Sequence, residues 1–439
     1  MSKYNRRDFV KISTAVAASA PTILRAADKG ANDQIRVACC GVRGRGRDHI
    51  SGLQRLNNVE VVALCDVDDS VLADRLKDFE QKGWREPKTY TDYRKLLEDP
   101  DIDAVALGTP NHWHALGSIW ACQAGKDVYV EKPISHNIFE GRKMIEAARK
   151  YGRIVQSGLQ IRSSIAIQAA VDFMQSGQLG EVYMAKGLCY KWRDTIGKTP
   201  DEPVPAGVHY DEWIGPAPER PFSRNRVHYN WHWHWDYGNG DIGNQGVHQF
   251  DIARWGLGMD EHPVFINSTG AKVMFDDDQE TPNILHSAFE YPQPDGKKKI
   301  LQFEVRHWIT NHEGGIGEGD DNTVGVIFYG SEGYLVVDSY NSWHTVLGRE
   351  RRPGPRADIG GDHYQNFIDA VRSRDPEKLT CSLEEGHKST VLCHMANIAY
   401  RLGRSLRFDP KRESFIGDEE ANSMLSRDYR APYVVPENV

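Results

Sequence analysis

Residues 35–66 limit what this chain can fold into more than any other stretch. Ile35-Arg36-Val37-Ala38-Cys39-Cys40 is an apolar run that reads as a buried strand. Gly41-Val42-Arg43-Gly44-Arg45-Gly46 reads as a glycine-rich turn, residues 47–56 as a helix, and residues 59–66 as a second strand ending in Asp66. Strand, turn, helix and strand make a βαβ unit, the building block of a parallel sheet clothed in helices. Glycines at such a turn let the backbone approach a pyrophosphate, and the helix N-terminus adds N–H groups and a positive dipole end. Asp66 stands about twenty residues past the turn, where an acidic side chain accepts hydrogen bonds from a ribose. Arg43 fills the second glycine position of G-x-G-x-x-G, with Gly44 offset by one. Asp66 repels a 2′-phosphate and so favours NAD. Arg43 and Arg45 pull the other way, which leaves NADP as the lesser expectation.

The unit repeats. Residues 71–79 read as a helix, 90–97 lead into another, and 102–107 form a strand followed by Thr109-Pro110-Asn111-His112-Trp113-His114. A further helix runs to Ala124-Gly125-Lys126. The strand Val128-Tyr129-Val130 then ends in Glu131-Lys132-Pro133. Charges at the carboxyl end of a parallel strand lie where open α/β sheets bind ligands. Pro133 lacks an N–H and turns the chain out of the sheet, which puts Lys132 at a cleft mouth. A helix over 138–151 and a strand over 154–158 complete this domain, read as residues 33–156.

The glycine turn, Asp66, Thr109-Pro110-Asn111-x-x-His114, Ala124-Gly125-Lys126 and Glu131-Lys132-Pro133, in this order, resemble the Gfo/Idh/MocA oxidoreductase family. The resemblance implies an α/β protein with an N-terminal Rossmann domain plus a C-terminal α/β domain carrying a large, mainly antiparallel open sheet. It implies NAD(P) as cofactor, held by Gly41, Arg43, Gly44, Gly46 and Asp66 and bordered by Thr109, Asn111, His114 and Glu131. Lys132 is expected beside both the nicotinamide and the substrate hydroxyl. The sheet is usually used for oligomer contacts, so a homodimer or homotetramer is expected.

The second domain, read as 157–439, opens with Gln160-Ile161-Arg162 and a helix over 164–176. Arg162 is a candidate substrate contact. Trp231-His232-Trp233-His234-Trp235-Asp236-Tyr237 is the most unusual local composition in the chain. Aromatic faces stack on sugar rings, and imidazoles and carboxylates bond hydroxyls, so Trp231, His232 and His234 read as part of a sugar pocket. The plainer reading is a strand or loop with its aromatics packed inward. On a strand, residues 231, 233 and 235 would share one face. No metal is expected at His228, His232 and His234, because no carboxylate framework surrounds them. In the family, the turn 238–246 enters a helix bearing an Asp and, four residues on, a His, both on one face. His248 matches that histidine. The Asp position holds Asn244, which cannot shuttle a proton but can orient a hydroxyl. Strands are read at 265–270, 288–291, 300–305, 324–330 and 334–338, with a loop at 314–321. Helices are read at 363–373 and 382–404. The tail from Phe408 is loop-rich, placed to lie across a neighbour or the pocket.

Residues 1–27 read as an export signal: Arg6-Arg7 in a twin-arginine pattern, an apolar segment over 12–24, and small residues at Ala26-Ala27. That segment is too short and alanine-rich for a membrane span. The twin-arginine route exports folded proteins, so a periplasmic protein carrying a tightly bound cofactor is expected. The seven cysteines show no C-x-x-C and read as core residues. A formal net charge of −8 argues against nucleic acid or an anionic membrane as partner. The expected activity is NAD(P)-dependent hydride transfer at a hydroxyl of a sugar, cyclitol or glycoside. His248 takes the proton, and Lys132 holds the oxygen. A redox-neutral glycosidase or lyase acting through a 3-keto intermediate is one alternative. A non-catalytic sugar-binding protein, suggested by Asn244, is the other.

Overall fold

The computed structural model describes residues 34–318 and 322–439. The segment read as a signal lies outside these residues, as does part of the 314–321 loop.

The first sheet is wholly parallel. Its strands are β1 (Ile35–Cys40), β2 (Val59–Cys65), β3 (Lys88–Tyr90), β4 (Ala104–Leu107), β5 (Asp127–Val130) and β6 (Val155–Ser157), in the order β3-β2-β1-β4-β5-β6. The order reverses between β1 and β4, which opens a crevice at their carboxyl ends. β4 and β5 are buried at every position, as strands clothed on both faces must be. Helices α1 (Arg45–Gln54), α2 (Asp69–Gln81), α3 (Tyr93–Leu97), α4 (Asn111–Gln123) and α5 (Ile138–Tyr151) alternate with the strands. Asp68 caps α2 and Asn137 caps α5, each accepting from a backbone N–H of the first turn.

The second sheet has ten strands: β7 (Val182–Lys191), β8 (Phe265–Ala271), β9 (Ile284–Pro292), β10 (Lys298–His307), β11 (Thr323–Gly330), β12 (Gly333–Val337), β13 (Ser342–Leu347), β14 (Arg352–Asp358), β15 (Leu406–Asp409) and β16 (Ser414–Phe415). Their order is β14-β13-β12-β11-β7-β10-β9-β8-β15-β16. Among the described neighbours only β7 with β10 is parallel. β13 to β16 have no counterpart in the sequence reading. β14 is Arg-Pro-Gly-Pro-Arg-Ala-Asp, a composition that suits only a sheet edge, which is where it lies.

The other helices are α6 (Ile165–Gln175), α7 (Tyr210–Ile214), α8 (Gly240–Asn244), α9 (Gly246–Leu257), α10 (His363–Ser373), α11 (Leu383–Leu402) and α12 (Glu419–Ser423). α6, α9 and α11 cover one face of the second sheet, with Phe250 of α9 against Phe289 and Phe303. A Cβ added at Gly246 would meet the Phe303 ring at 2.7 Å, so the start of α9 sits directly on the sheet.

The chain returns to the first layer late. Phe367 and Ile368 of α10 pack with Val37 and Leu53, and Tyr433 of the tail meets Trp113 of α4 with ring centroids 5.5 Å apart. All seven cysteines are buried and free.

Candidate active site

A cavity of about 1080 Å³ runs from the carboxyl ends of β1 and β4 to the start of α9. At one end β1 passes into the glycine turn. Gly41 has φ +72° and lies so close to the next strand that an added Cβ would stand 2.7 Å from Gly108 O. A Cβ at Gly44 would meet nothing within 4 Å, so that backbone faces open space. Gly41, Arg43 and Gly44 line the cavity, with Arg45 beside them. Gly46 does not. Its missing Cβ makes room for Gly41 O, 2.1 Å from where that atom would lie, so it serves packing rather than contact.

Asp66, at the end of β2, accepts from Val42 N at 2.8 Å and Asp68 N at 3.2 Å. Burial raises its pKa against these amides, to about 6. Thr109 Oγ1 and Asn111 Oδ1 line the same cavity and, though buried, have no protein partner. Orphaned polar atoms in a cleft call for a polar ligand. Together with the glycine cradle and the α1 N-terminus, they fit a dinucleotide running from Asp66 towards Lys132.

His114 lines the cavity too, with both ring nitrogens against backbone carbonyls, to one of which a neutral imidazole can donate. Nδ1 lies 2.7 Å from Pro133 O and Nε2 2.8 Å from Thr109 O, tying the β4–α4 turn to the Lys-Pro turn.

Glu131 is a buried anchor. Arg45 Nε lies 3.0 Å, Gln160 Nε2 3.0 Å and His49 Nε2 3.6 Å from its Oε1. Burial alone would raise its pKa, but Arg45, His49 and Lys132 hold it at about 2. Lys132 is driven the other way: burial lowers it to about 8, although Glu131 opposes. Its Nζ donates to the backbone oxygen of Asn244. His248, on α9, also lines the cavity. Burial and then the Lys132 charge push its pKa well below the usual value. It is therefore a neutral imidazole, and its Nδ1 has no partner.

Asn244 and His248 do not share one helix. Asn244 closes the five-residue α8, Gln245 kinks the chain, and α9 starts at Gly246. Both still face the cavity.

Of the two readings of the aromatic stretch, strand or loop, it is not the strand that forms. Residues Asn230–Trp233 form a 3-10 turn, because the segment has no neighbouring strand to pair with. Trp231 and His232 stack at 3.6 Å and both line the cavity. Trp233 instead packs under Arg193 and beside His307.

Two expected substrate contacts are elsewhere. His234 is buried, with Nε2 2.9 Å from Asn225 O and Nδ1 3.4 Å from Glu280. Arg162 is buried on Asp251 at 2.8 Å and Glu385 at 3.0 Å, an ion cluster inside the second domain. Neither reaches the cavity.

The sequence reading missed Tyr229, Tyr340 and Tyr433, all lining the cavity. Tyr340 comes from the β12–β13 turn and lies 5.1 Å from the His248 ring. It also missed a strap. Asp68 bridges Val208, Asp69 N donates to Gly207 O at 2.9 Å, and His209 N donates to Val67 O at 2.8 Å. Residues 205–208 thereby cover the end of the cavity beside Asp66. Its one local sign is the Pro-Ala-Gly turn at 205–207.

Among the described residues, His262, His387 and Glu413 could hold a metal ion. Both Nε2 atoms bond Glu413 Oε1, at 2.9 and 3.0 Å, while Arg142 also occupies that carboxylate. Both Nδ1 atoms lack partners, whereas a metal-bound imidazole normally donates its other N–H. The group is a hydrogen-bonded carboxylate hub.

A parallel sheet crossing at β1 and β4, a glycine turn and an acidic β2 terminus define a dinucleotide-binding α/β protein. Residues 35–159 match the oxidoreductase family, NAD-binding Rossmann fold, and residues 166–320 and 349–435 match the oxidoreductase family, C-terminal alpha/beta domain. The chain belongs to the Gfo/Idh/MocA oxidoreductase family.

It is 32% identical over 158 residues to an inositol 2-dehydrogenase of Salmonella typhimurium, covering 36% of this chain and 46% of the relative. It is 34% identical over 122 residues to a glycosyl hydrolase family 109 protein of Shewanella pealeana, covering 27% of each. The chain thus aligns with less than half the length of either. Two solved structures share the fold. An aldose-aldose oxidoreductase from Caulobacter crescentus has TM-score 0.63 and 18% identity, over 85% of this chain and 100% of that one. A levoglucosan dehydrogenase, in complex with NADH and levoglucosan, has TM-score 0.62 and 16% identity, over 87% and 99%.

Proposed function

We propose that this protein oxidises a secondary hydroxyl of a sugar, cyclitol or glycoside, with NAD as the hydride acceptor. The observation that carries this reading is the pairing of a depressed lysine, Lys132, with a neutral, unpartnered imidazole, His248, at the inner end of one cavity. The bound nicotinamide would supply the hydride-accepting carbon. Lys132, when protonated, holds the substrate oxygen and stabilises the charge that develops there. His248, as a neutral imidazole, takes the hydroxyl proton on its unprotonated ring nitrogen. Its basicity in the free protein is low because burial, and then the Lys132 charge, disfavour a second positive charge there. Trp231 offers an apolar face to a ring. Asp66 favours NAD over NADP.

The test is turnover by Lys132→Met and His248→Ala against NAD affinity. The reading expects each to lose activity by about 10²-fold or more with NAD binding unchanged. Retained activity in both overturns it.

The strap favours a second reading, in which the cofactor stays bound between turnovers. NAD reduced in one half-reaction would then be reoxidised by the same or another sugar, giving a redox-neutral glycosidase or a sugar–sugar transfer. The relative named as a glycosyl hydrolase family 109 protein is in keeping with the first of these. Twin-arginine export of a loaded, periplasmic protein accords with either, and so does assembly into a homodimer or homotetramer through the second sheet. Exchange of solvent deuterium into the carbon beside the oxidised one separates elimination from plain oxidation.

A further inference from the structure

The carboxylate absent at position 244 is present one turn earlier. Asp241 is 1% exposed and faces three donors. Arg193 grips it with two nitrogens, Nε on Oδ2 at 2.5 Å and Nη2 on Oδ1 at 2.9 Å. His307 Nε2 lies 2.6 Å from Oδ2. The third donor is Asn244, whose Nδ2 lies 3.0 Å from Asp241 Oδ1. The i,i+3 spacing on α8 puts the two side chains on one face.

An ionised carboxylate accepts hydrogen bonds and cannot donate them. Burial opposes ionisation of Asp241, but Arg193 and Lys191 outweigh it and keep the group charged. The Asn244 atom against Asp241 must therefore be the nitrogen, and the amide cannot turn over without setting two oxygens face to face. The other Nδ2 hydrogen points to the Tyr229 hydroxyl oxygen, Oη, at 3.5 Å. Asn244 is left with one group to offer the cavity, its carbonyl oxygen. The backbone oxygen of the same residue holds Lys132 Nζ. A hydroxyl acceptor and the cation assigned to the reacting oxygen are thus anchored on one residue.

We propose that Asp241 is a positioning residue that locks Asn244 with its carbonyl oxygen towards the cavity, so that the site selects a vicinal diol. One hydroxyl donates to Asn244 Oδ1 and keeps its proton, while its neighbour on the ring is held by Lys132. An aspartate at 244 would accept equally well but would add a charge beside Asp241. Placing the charge at 241, fully clamped, leaves a neutral acceptor facing the substrate. The vicinal-diol part rests on the oxidoreductase reading, whereas the locked amide does not.

The lock is tested on the full chain labelled with ¹⁵N-asparagine, with Asn244→Ala identifying the resonance pair. One Asn244 amide proton should be shifted downfield and exchange more slowly than those of exposed asparagines, and both features should vanish in Asp241→Asn. An Asn244 amide in the unmodified protein that behaves as an exposed one overturns the lock, even where Asp241→Asn does not fold.

The diol is tested with methyl glucosides and their monodeoxy analogues. Asn244→Ala, which leaves the buried Arg193–Asp241 pair intact, should raise KM for the parent glucoside by roughly tenfold or more. KM for the analogue lacking the neighbouring hydroxyl, and Kd for NAD, should stay unchanged. Equal losses on parent and analogue contradict the diol. If methyl glucosides and myo-inositol all fail to reduce bound NAD, the oxidoreductase reading and the diol fall together, and the amide result still decides the lock.

Discussion

At the scale of single residues, Lys132 sets the expected pH behaviour. Burial lowers its pKa to about 8. The proposed reaction needs it charged, so kcat/KM should be present below that value and fall as pH rises through it. Lys132→Arg keeps a charge at all working pH values and should abolish the falling limb. Initial rates across pH for the two proteins check this. Lys132, Asn244 and His248 all line the cavity, and their place there was legible because each follows a local signal: a strand end, a proline, a glycine turn into a helix. Arg162 and His234 were misplaced for a shared reason. Both are polar residues near expected site segments, but their partners, Asp251 and Asn225, are brought in only by folding. Tyr340 was invisible for the converse reason. It lies in an ordinary turn, and the closure of β12 and β13 carries it to His248.

At the scale of elements, the strap is the part with the clearest consequence. Its hydrogen bond from His209 N to Val67 O closes the cavity beside Asp66. His209→Pro removes that N–H and leaves a buried-side acceptor unmatched. NAD should leave the variant roughly tenfold faster or more, and less of it should survive purification. Stopped-flow release of NADH, followed by fluorescence, reads this directly, and unchanged release would remove the strap from the account. The Rossmann strands and helices were legible because each βα step is local in sequence. The aromatic segment was not, since alternation means opposite faces only on a strand, and residues 230–233 have no strand to pair with.

At the scale of the whole molecule, the two sheets are joined through buried charge. Glu413, between β15 and β16, bonds Arg142 of α5 and His387 of α11 as well as His262. Burial would raise its pKa, but the two histidines and Arg142 hold it far below the usual carboxylate range. A carboxyl depressed on folding contributes stability that is complete above its unfolded pKa of about 4.3 and is lost as pH falls below that. Glu413→Gln should therefore cost about 3–5 kcal/mol of stability at pH 7 and lower Tm accordingly. The gap from the unmodified protein should narrow in acid. Thermal unfolding at several pH values tests both. This joint was beyond sequence reading, as its residues, Arg142, His262, His387 and Glu413, lie in four separate segments that come together only in the fold.

The account as a whole stands on Lys132 and His248 acting on a sugar hydroxyl beside bound NAD. The most direct measurement loads the protein with NAD, adds myo-inositol or a methyl glucoside, and follows the absorbance of the reduced nicotinamide in a single turnover. The account predicts reduction by the unmodified protein with at least one of these, and none by Lys132→Met or His248→Ala carrying the same amount of NAD. Reduction at an equal rate in both variants, or none in any protein, would contradict it.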